Sequence, residues 1–202
     1  MIDTSPSRKW NELNRNLQKL NIEKLDLLIL THTHFDHVGN AKKIKENYKA
    51  RIVVHRHEKF YIENGINKFP GGTNTLTRFL ITYVGNKFSE KFNFAPCEAD
   101  IIIDSIWSLH DFGFNAYVLP TPGHSNGSMS LIIDDEIALV GDAMFGVFKK
   151  SIFPPFADDP VTLIDSWGKL LDTNCELFLP AHGFANARIK VQKNFNAWKK
   201  KS

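Results

Sequence analysis

Cysteine is scarce in this sequence. Two residues, Cys97 and Cys175, are too few and too far apart for a disulfide framework, and neither belongs to a CxxC pair. Reduced thiols and a cytoplasmic address are expected. Long apolar runs are missing too, since none approaches the ~20 residues that span a bilayer, so no membrane association is expected. The opening Met1-Ile2-Asp3-Thr4-Ser5-Pro6-Ser7 shows no basic region followed by an apolar core, the pattern of an export signal. Charge of one sign is also in short supply: 25 Lys and Arg stand against 22 Asp and Glu, a formal +3. Part of that excess is the tail Lys199-Lys200-Lys201, which reads as a solvated helix end and not as a nucleic-acid arm. No nucleic-acid partner is expected. There is no internal repeat and no low-complexity linker. What remains is an ordinary globular composition, 43% hydrophobic in 202 residues, enough to bury a core without covalent staples. One domain over residues 1–202 is the economical reading.

Along the chain, apolar positions at Trp10, Leu13, Leu17 and Leu20 give a helical spacing over 10–24. Leu25 to Leu30 reads as a buried strand, Ala41 to Tyr48 as a helix and Ala50 to His55 as a strand, a rhythm that favours an α/β architecture. Residues 56–98 are harder to read. Pro70-Gly71-Gly72 marks a turn and Leu76 to Val84 a helix. Phe79, Tyr83, Phe88, Phe92 and Phe94 make the region rich in aromatics, and the stretch from Phe69 to Phe94 suits either a pocket for an apolar acyl group or ordinary core packing. Short strands follow at 101–103, 116–119, 129–133 and 137–140, then a helix over 162–171, a strand at 176–179 and a closing helix over 187–201.

The chemistry is concentrated after the first strand. His32, His34, Asp36 and His37 fall within six residues, a density that a polar surface loop does not explain. Zinc takes imidazole nitrogen and carboxylate oxygen, several of them converging at about 2 Å. Alternate residues of an extended segment share a side, so His32 and His34 can reach one metal. The following loop can then turn Asp36 and His37 toward a second. Three later segments each run from an apolar strand to a ligand-type residue: Tyr117-Val118-Leu119-Pro120-Thr121-Pro122-Gly123-His124, Ile137-Ala138-Leu139-Val140-Gly141-Asp142, and Leu177-Phe178-Leu179-Pro180-Ala181-His182. Sites of α/β folds gather at strand ends, which makes seven ligand candidates. His55, His57 and His110 read as surface or supporting groups.

These segments resemble the metallo-β-lactamase superfamily. Thr31-His32-Thr33-His34-Phe35-Asp36-His37 matches its HxHxDH signature, Thr121-Pro122-Gly123-His124 its TPGH segment, Gly141-Asp142 its bridging aspartate and Pro180-Ala181-His182-Gly183 its last histidine segment, in the family's order. The resemblance implies an α/β (α+β) fold, a four-layer αββα sandwich with the metals at one edge. It implies two Zn2+ ions, the first on His32, His34 and His124, the second on Asp36, His37 and His182, with Asp142 bridging. Asp3 matches a supporting aspartate, and Ser5 stands where the family carries glycine.

Family members carry two or three strands ahead of the Ile2-Asp3-Thr4 segment, so the first sheet is expected to lack N-terminal strands and expose an edge. A coding start placed too late, a shortened chain, or a second chain covering the edge, as in a homodimer, would each account for it. The implied activity is a zinc-dependent hydrolase of an ester-type bond in a small molecule, a thioester or lactone by resemblance to glyoxalase II-like enzymes. A hydroxide shared by the two ions would attack the carbonyl, with Asp36 orienting it and passing a proton to the leaving group. The alternative is a persulfide dioxygenase-like oxidoreductase, which has the same motif but one Fe2+.

Overall fold

The structure, a computed structural model, describes residues 1–85 and 89–200. Of the sequence expectations, Phe88 and Lys201 lie outside the described residues. The chain forms two compact units, the first built from Met1–Phe69 and Thr82–Ile103, the second from Pro70–Ile81 and Asp104–Ser202.

In the first unit three strands pair in parallel, β1 (Leu27–Ile29), β2 (Arg51–His55) and β3 (Ile101–Ile103), in the order β1-β2-β3. Leu28 lies opposite Ile52 and Val54 opposite Ile102. Beyond β1, Ile2 forms a single parallel bridge with Ile29. The helices are α1 (Trp10–Lys19), the short α2 (Phe35–Val38), α3 (Ala41–Tyr48) and α4 (Lys59–Asn64). Leu17 from α1, Ala41, Ile44 and Tyr48 from α3, and Ile62 from α4 share one buried cluster with Leu28, Leu30, Ile52 and Val54. α1 stops five residues short of the expected end because Asn21 turns left-handed, φ 54°, which closes the helix and leaves Leu20 exposed. α4 escaped the periodicity reading because Phe60, Tyr61 and Ile62 are contiguous, and of the three only Ile62 is buried.

In the second unit β4 (Trp107–Ser108), β5 (Ala116–Pro120), β6 (Met129–Ile133), β7 (Ile137–Gly141), β8 (Leu177–Pro180) and β9 (Asn186–Ala187) pair in sequence order. All neighbours are antiparallel except β7 and β8. That parallel pair needs a crossover, and α6 (Pro160–Leu171) lies within it. α6 begins two residues before the expected start: Asp159 accepts hydrogen bonds from the backbone of Val161 and Thr162, and Pro160 follows the cap. α5 (Thr75–Leu80) and α7 (Arg188–Lys199) complete the unit. Phe79 on α5 is exposed, as is Tyr83 on the π-turn Ile81–Gly85, which belongs to the first unit from Thr82 onward. Trp167, fully buried against Phe178, Val140, Met144 and Leu163, also donates from its indole Nε1 to Ala143 O at 2.6 Å. That bond ties α6 to the loop after β7. No helix among the described residues is long and apolar enough to cross a membrane.

Candidate metal centre

In the first unit β1 passes through Leu30 into Thr31–His34, and α2 then carries Asp36 and His37. The His32 and His34 rings lie 4.4 Å apart, nearly perpendicular, and those of His32 and His37 4.0 Å apart. His37 Nε2 is 3.9 Å from Asp36 Oδ2. All four expected ligands of this segment are therefore neighbours, and the three histidines are buried.

Asp3 orients two of them, His37 directly and His32 through Thr31. Its Oδ1 accepts from Thr31 N and its Oδ2 from Thr31 Oγ1, both at 2.8 Å, and Oδ2 also lies 2.8 Å from His37 Nδ1. Thr31 Oγ1 is in turn 3.1 Å from His32 Nδ1. A carboxylate only accepts, so it draws a proton onto His37 Nδ1. Because the Thr31 hydroxyl spends its own proton on Asp3, it acts as acceptor toward His32 Nδ1. Both imidazoles then present Nε2 as the basic atom, the usual role of a partner behind a metal-binding histidine. The resemblance named Asp3 as a support; the Thr31 relay to a second histidine had no sequence signal.

Two further anchors were also unread in the sequence. Glu58 is buried and its Oε2 accepts from Thr33 N at 3.1 Å and, at shorter range, from Thr33 Oγ1. This pins the residue between His32 and His34. Asn67 Oδ1 accepts from Phe35 N at 2.9 Å, satisfying a first-turn donor of α2. Thr4 N and Oγ1 both donate to His37 O, and Asn40 N donates to Thr4 Oγ1, so the Asp3 segment and the end of α2 form one block. Ser5 has φ 64°, a left-handed conformation in which glycine is unstrained.

In the second unit three strand ends supply one ligand candidate each: β5 leads to His124, β7 to Asp142 and β8 to His182. Asp142 is buried, with Oδ2 3.5 Å from His124 Nε2 and Oδ1 3.5 Å from His182 Nε2. One carboxylate thus faces two imidazoles, one on each oxygen. His124 Nδ1 lies 2.9 Å from Phe156 O, a carbonyl that can only accept, so this histidine also presents Nε2. His182 is more exposed than the others and lies beside Phe145, ring centroids 4.9 Å apart.

Backbone geometry does the positioning here. Gly123 has φ 128°, and a Cβ on it would collide with the Leu163 backbone at the start of α6. Gly123 O and His124 O accept from Asp159 N and Asp158 N, at 2.9 and 3.1 Å. Gly183, φ 94°, packs against the Gly146 backbone with no room for a side chain. The histidines that matched no ligand position lie elsewhere: His110 and His57 are exposed, whereas His55 is buried and accepts from His57 N to cap a helical turn.

The family model of the Metallo-beta-lactamase superfamily matches residues 1–182. A metallo-beta-lactamase fold-containing protein, ST1585 from Sulfurisphaera tokodaii, is 28% identical over 177 residues, covering 85% of this chain and 64% of its own length. Hydroxyacylglutathione hydrolase GloC from Haemophilus influenzae is 30% identical over 198 residues, covering 92% and 82%. A probable metallo-hydrolase of Methanocaldococcus jannaschii, MJ0888, is 28% identical and covered to 62% of its length. This chain thus spans less than two thirds of ST1585 and MJ0888. The crystal structure of ST1585 aligns with a TM-score of 0.69 at 22% identity, over 100% of this chain and 76% of the other. The B3 metallo-beta-lactamase BLEG-1 aligns at 0.67 and 20% identity, over 91% and 81%. With its four motif segments in order and the family model covering most of its length, the chain belongs to the metallo-beta-lactamase superfamily and has that α/β fold.

Proposed function

We propose that this chain is a zinc-dependent hydrolase of an ester-type bond in a small molecule, a thioester or a lactone. One observation carries the reading: the two oxygens of Asp142 each face the Nε2 of a different histidine, at 3.5 Å. A carboxylate shared between two ions needs that disposition. The donor set suits zinc, which takes imidazole nitrogen and carboxylate oxygen. The Nδ1 atoms of His37 and His124 already have oxygen partners at 2.8 and 2.9 Å, which leaves Nε2 as the ligating atom in both.

In this proposal His32, His34 and His124 hold one ion, Asp36, His37 and His182 the other, and Asp142 is shared. The grouping follows the family's motif order. Such a pair supplies Lewis acidity and a water acidified toward neutral pH. Around it, the protein's part is orientation. Asp3 and the Phe156 carbonyl fix two imidazoles, Glu58 fixes the segment between His32 and His34, and Asp36 carries a proton to the leaving group. The name of the GloC relative, hydroxyacylglutathione hydrolase, supports a thioester. Cys97 and Cys175, both buried free thiols, support a cytoplasmic setting.

Metal analysis of protein purified without added metal, followed by a panel of thioesters, lactones and phosphodiesters, tests the proposal. Two zinc ions per chain with thioester or lactone turnover is the expected result. One iron with oxygen consumption would replace the hydrolase by a dioxygenase.

A further inference from the structure

Away from these ligands, the second unit contains a cavity of about 430 Å³ walled by Phe153, Pro154, Pro155, Val161, Ile164 and Trp198, with Thr73, Asn74 and Arg78 among its polar lining. Its volume falls within the range of small-molecule sites, roughly 300–1,000 Å³, which are apolar with a few placed polar groups. The Phe153 and Trp198 ring centroids lie 4.4 Å apart with the planes tilted by 38°, and the two rings form one apolar side of the cavity.

The polar lining is informative because most of it is already used. Thr73 Oγ1 donates to Pro154 O at 2.9 Å. The Asn74 side chain accepts from Thr77 N and caps α5. Arg78 differs: among the described residues its hydrogen bond runs from Nε to Gly72 O at 3.1 Å. That bond orients the guanidinium and leaves its Nη donors for an outside acceptor. Among the described residues no acidic side chain lines the cavity, so Arg78 sets the sign of its charge.

We infer that this cavity is a second small-molecule site, selective for an apolar carboxylate whose chain lies against Phe153 and Trp198 and whose carboxylate pairs with Arg78. An apolar wall alone would take any greasy molecule. The single guanidinium, held from behind through Nε, adds a planar fork that matches a carboxylate. The site uses none of the proposed metal ligands, so it stands whether or not zinc is bound. It does adjoin them through the chain. Pro154 and Pro155 wall the cavity, and Phe156, the next residue, supplies the carbonyl facing His124 Nδ1. Thr73 N donates to Pro155 O and Ala157 N to Gly71 O, so an antiparallel bridge between Gly72 and Phe156 braces this strap along one edge.

The test is a tryptophan-fluorescence titration of the full chain, zinc-loaded and chelator-treated, with octanoate, octanol and octylammonium as probes. Saturable quenching by octanoate in both forms is expected, with octanol and octylammonium each at least about tenfold weaker. Trp198→Phe should remove the signal change while isothermal calorimetry still detects octanoate. Arg78→Gln, at an exposed position, should reduce octanoate to the affinity of octanol. Val161→Trp should block all three probes and leave zinc content unchanged. Absence of saturable octanoate binding up to millimolar concentration would overturn the inference. Equal affinity for the three probes, or binding unaffected by Arg78→Gln and Val161→Trp together, would do so too.

Discussion

The two units bring their ligand candidates into place by different means. In the first, four candidates lie within six residues, and side-chain hydrogen bonds support them: Asp3 through Thr31 and directly, Glu58 through Thr33, Asn67 through Phe35. In the second, His124, Asp142 and His182 come from three separate strand ends, and glycines and backbone carbonyls orient them. A contiguous loop has no sheet register to hold each residue, so side-chain hydrogen bonds must do it. A strand end inherits its position from the ladder, and only the turn beyond it needs specifying. The first arrangement should therefore fail by degrees when a support is cut, and the second should fail by misfolding when a glycine is replaced.

The severest test removes the carboxylate proposed to be shared. Asp142→Ala should abolish metal loading and all measurable hydrolysis, read by metal analysis and turnover, while circular dichroism stays unchanged. Gly123→Ala comes next. With φ 128° and the Leu163 backbone where a Cβ would stand, it should destabilise by about 3 kcal/mol, measured by urea denaturation. A loss below 1 kcal/mol would show that the turn yields and would break the contrast.

Cutting a support in the first unit should cost affinity before stability. Asp3→Ala should weaken zinc binding by about 10–100-fold, measured by competition with a chelator, with the fold retained. Asp159→Ala tests the second unit's ordinary capping and should cost about 1 kcal/mol. Hydrogen bonds from the Thr162 hydroxyl and from the backbone of Thr162 and Val161 hold the Asp159 carboxyl below the usual carboxylate range. Its contribution is therefore present above the unfolded-state value and is lost as pH falls through the lower folded value. The stabilities of the two proteins should converge in acid and separate near neutrality. The smallest effect is a gain: Ser5→Gly relieves the strain of φ 64° and should add about 0.5–1 kcal/mol.

Most strands were legible in the sequence because their apolar runs are short and bounded by turns. Ile101–Ile103 and Met129–Ile133 fall where the pattern puts them, and α3 spans Ala41–Tyr48 as expected. The two-residue strands β4 and β9 were not, because two residues carry no alternation to read. The aromatics of residues 79–94 divide. Phe94 is buried in the first unit's cluster, Phe92 lies edge-on to Phe35 and Phe69, and Phe79 and Tyr83 remain exposed. Periodicity cannot make that division, because it records spacing and not what lies opposite.

The ligand candidates themselves are a property of the sequence: a dense histidine segment and three strand ends finishing on His124, Asp142 and His182 can be read without coordinates. Which nitrogen each imidazole presents is not. That choice rests on Asp3 meeting Thr31 and His37, and on Phe156 meeting His124, pairs separated by 28, 34 and 32 positions. Glu58 beneath Thr33 and Arg78 at the cavity are likewise ordinary surface-type residues by composition. Spacing along the chain encodes local geometry, whereas a hydrogen bond between distant residues exists only once folding has brought donor and acceptor together and excluded the water that would otherwise serve both.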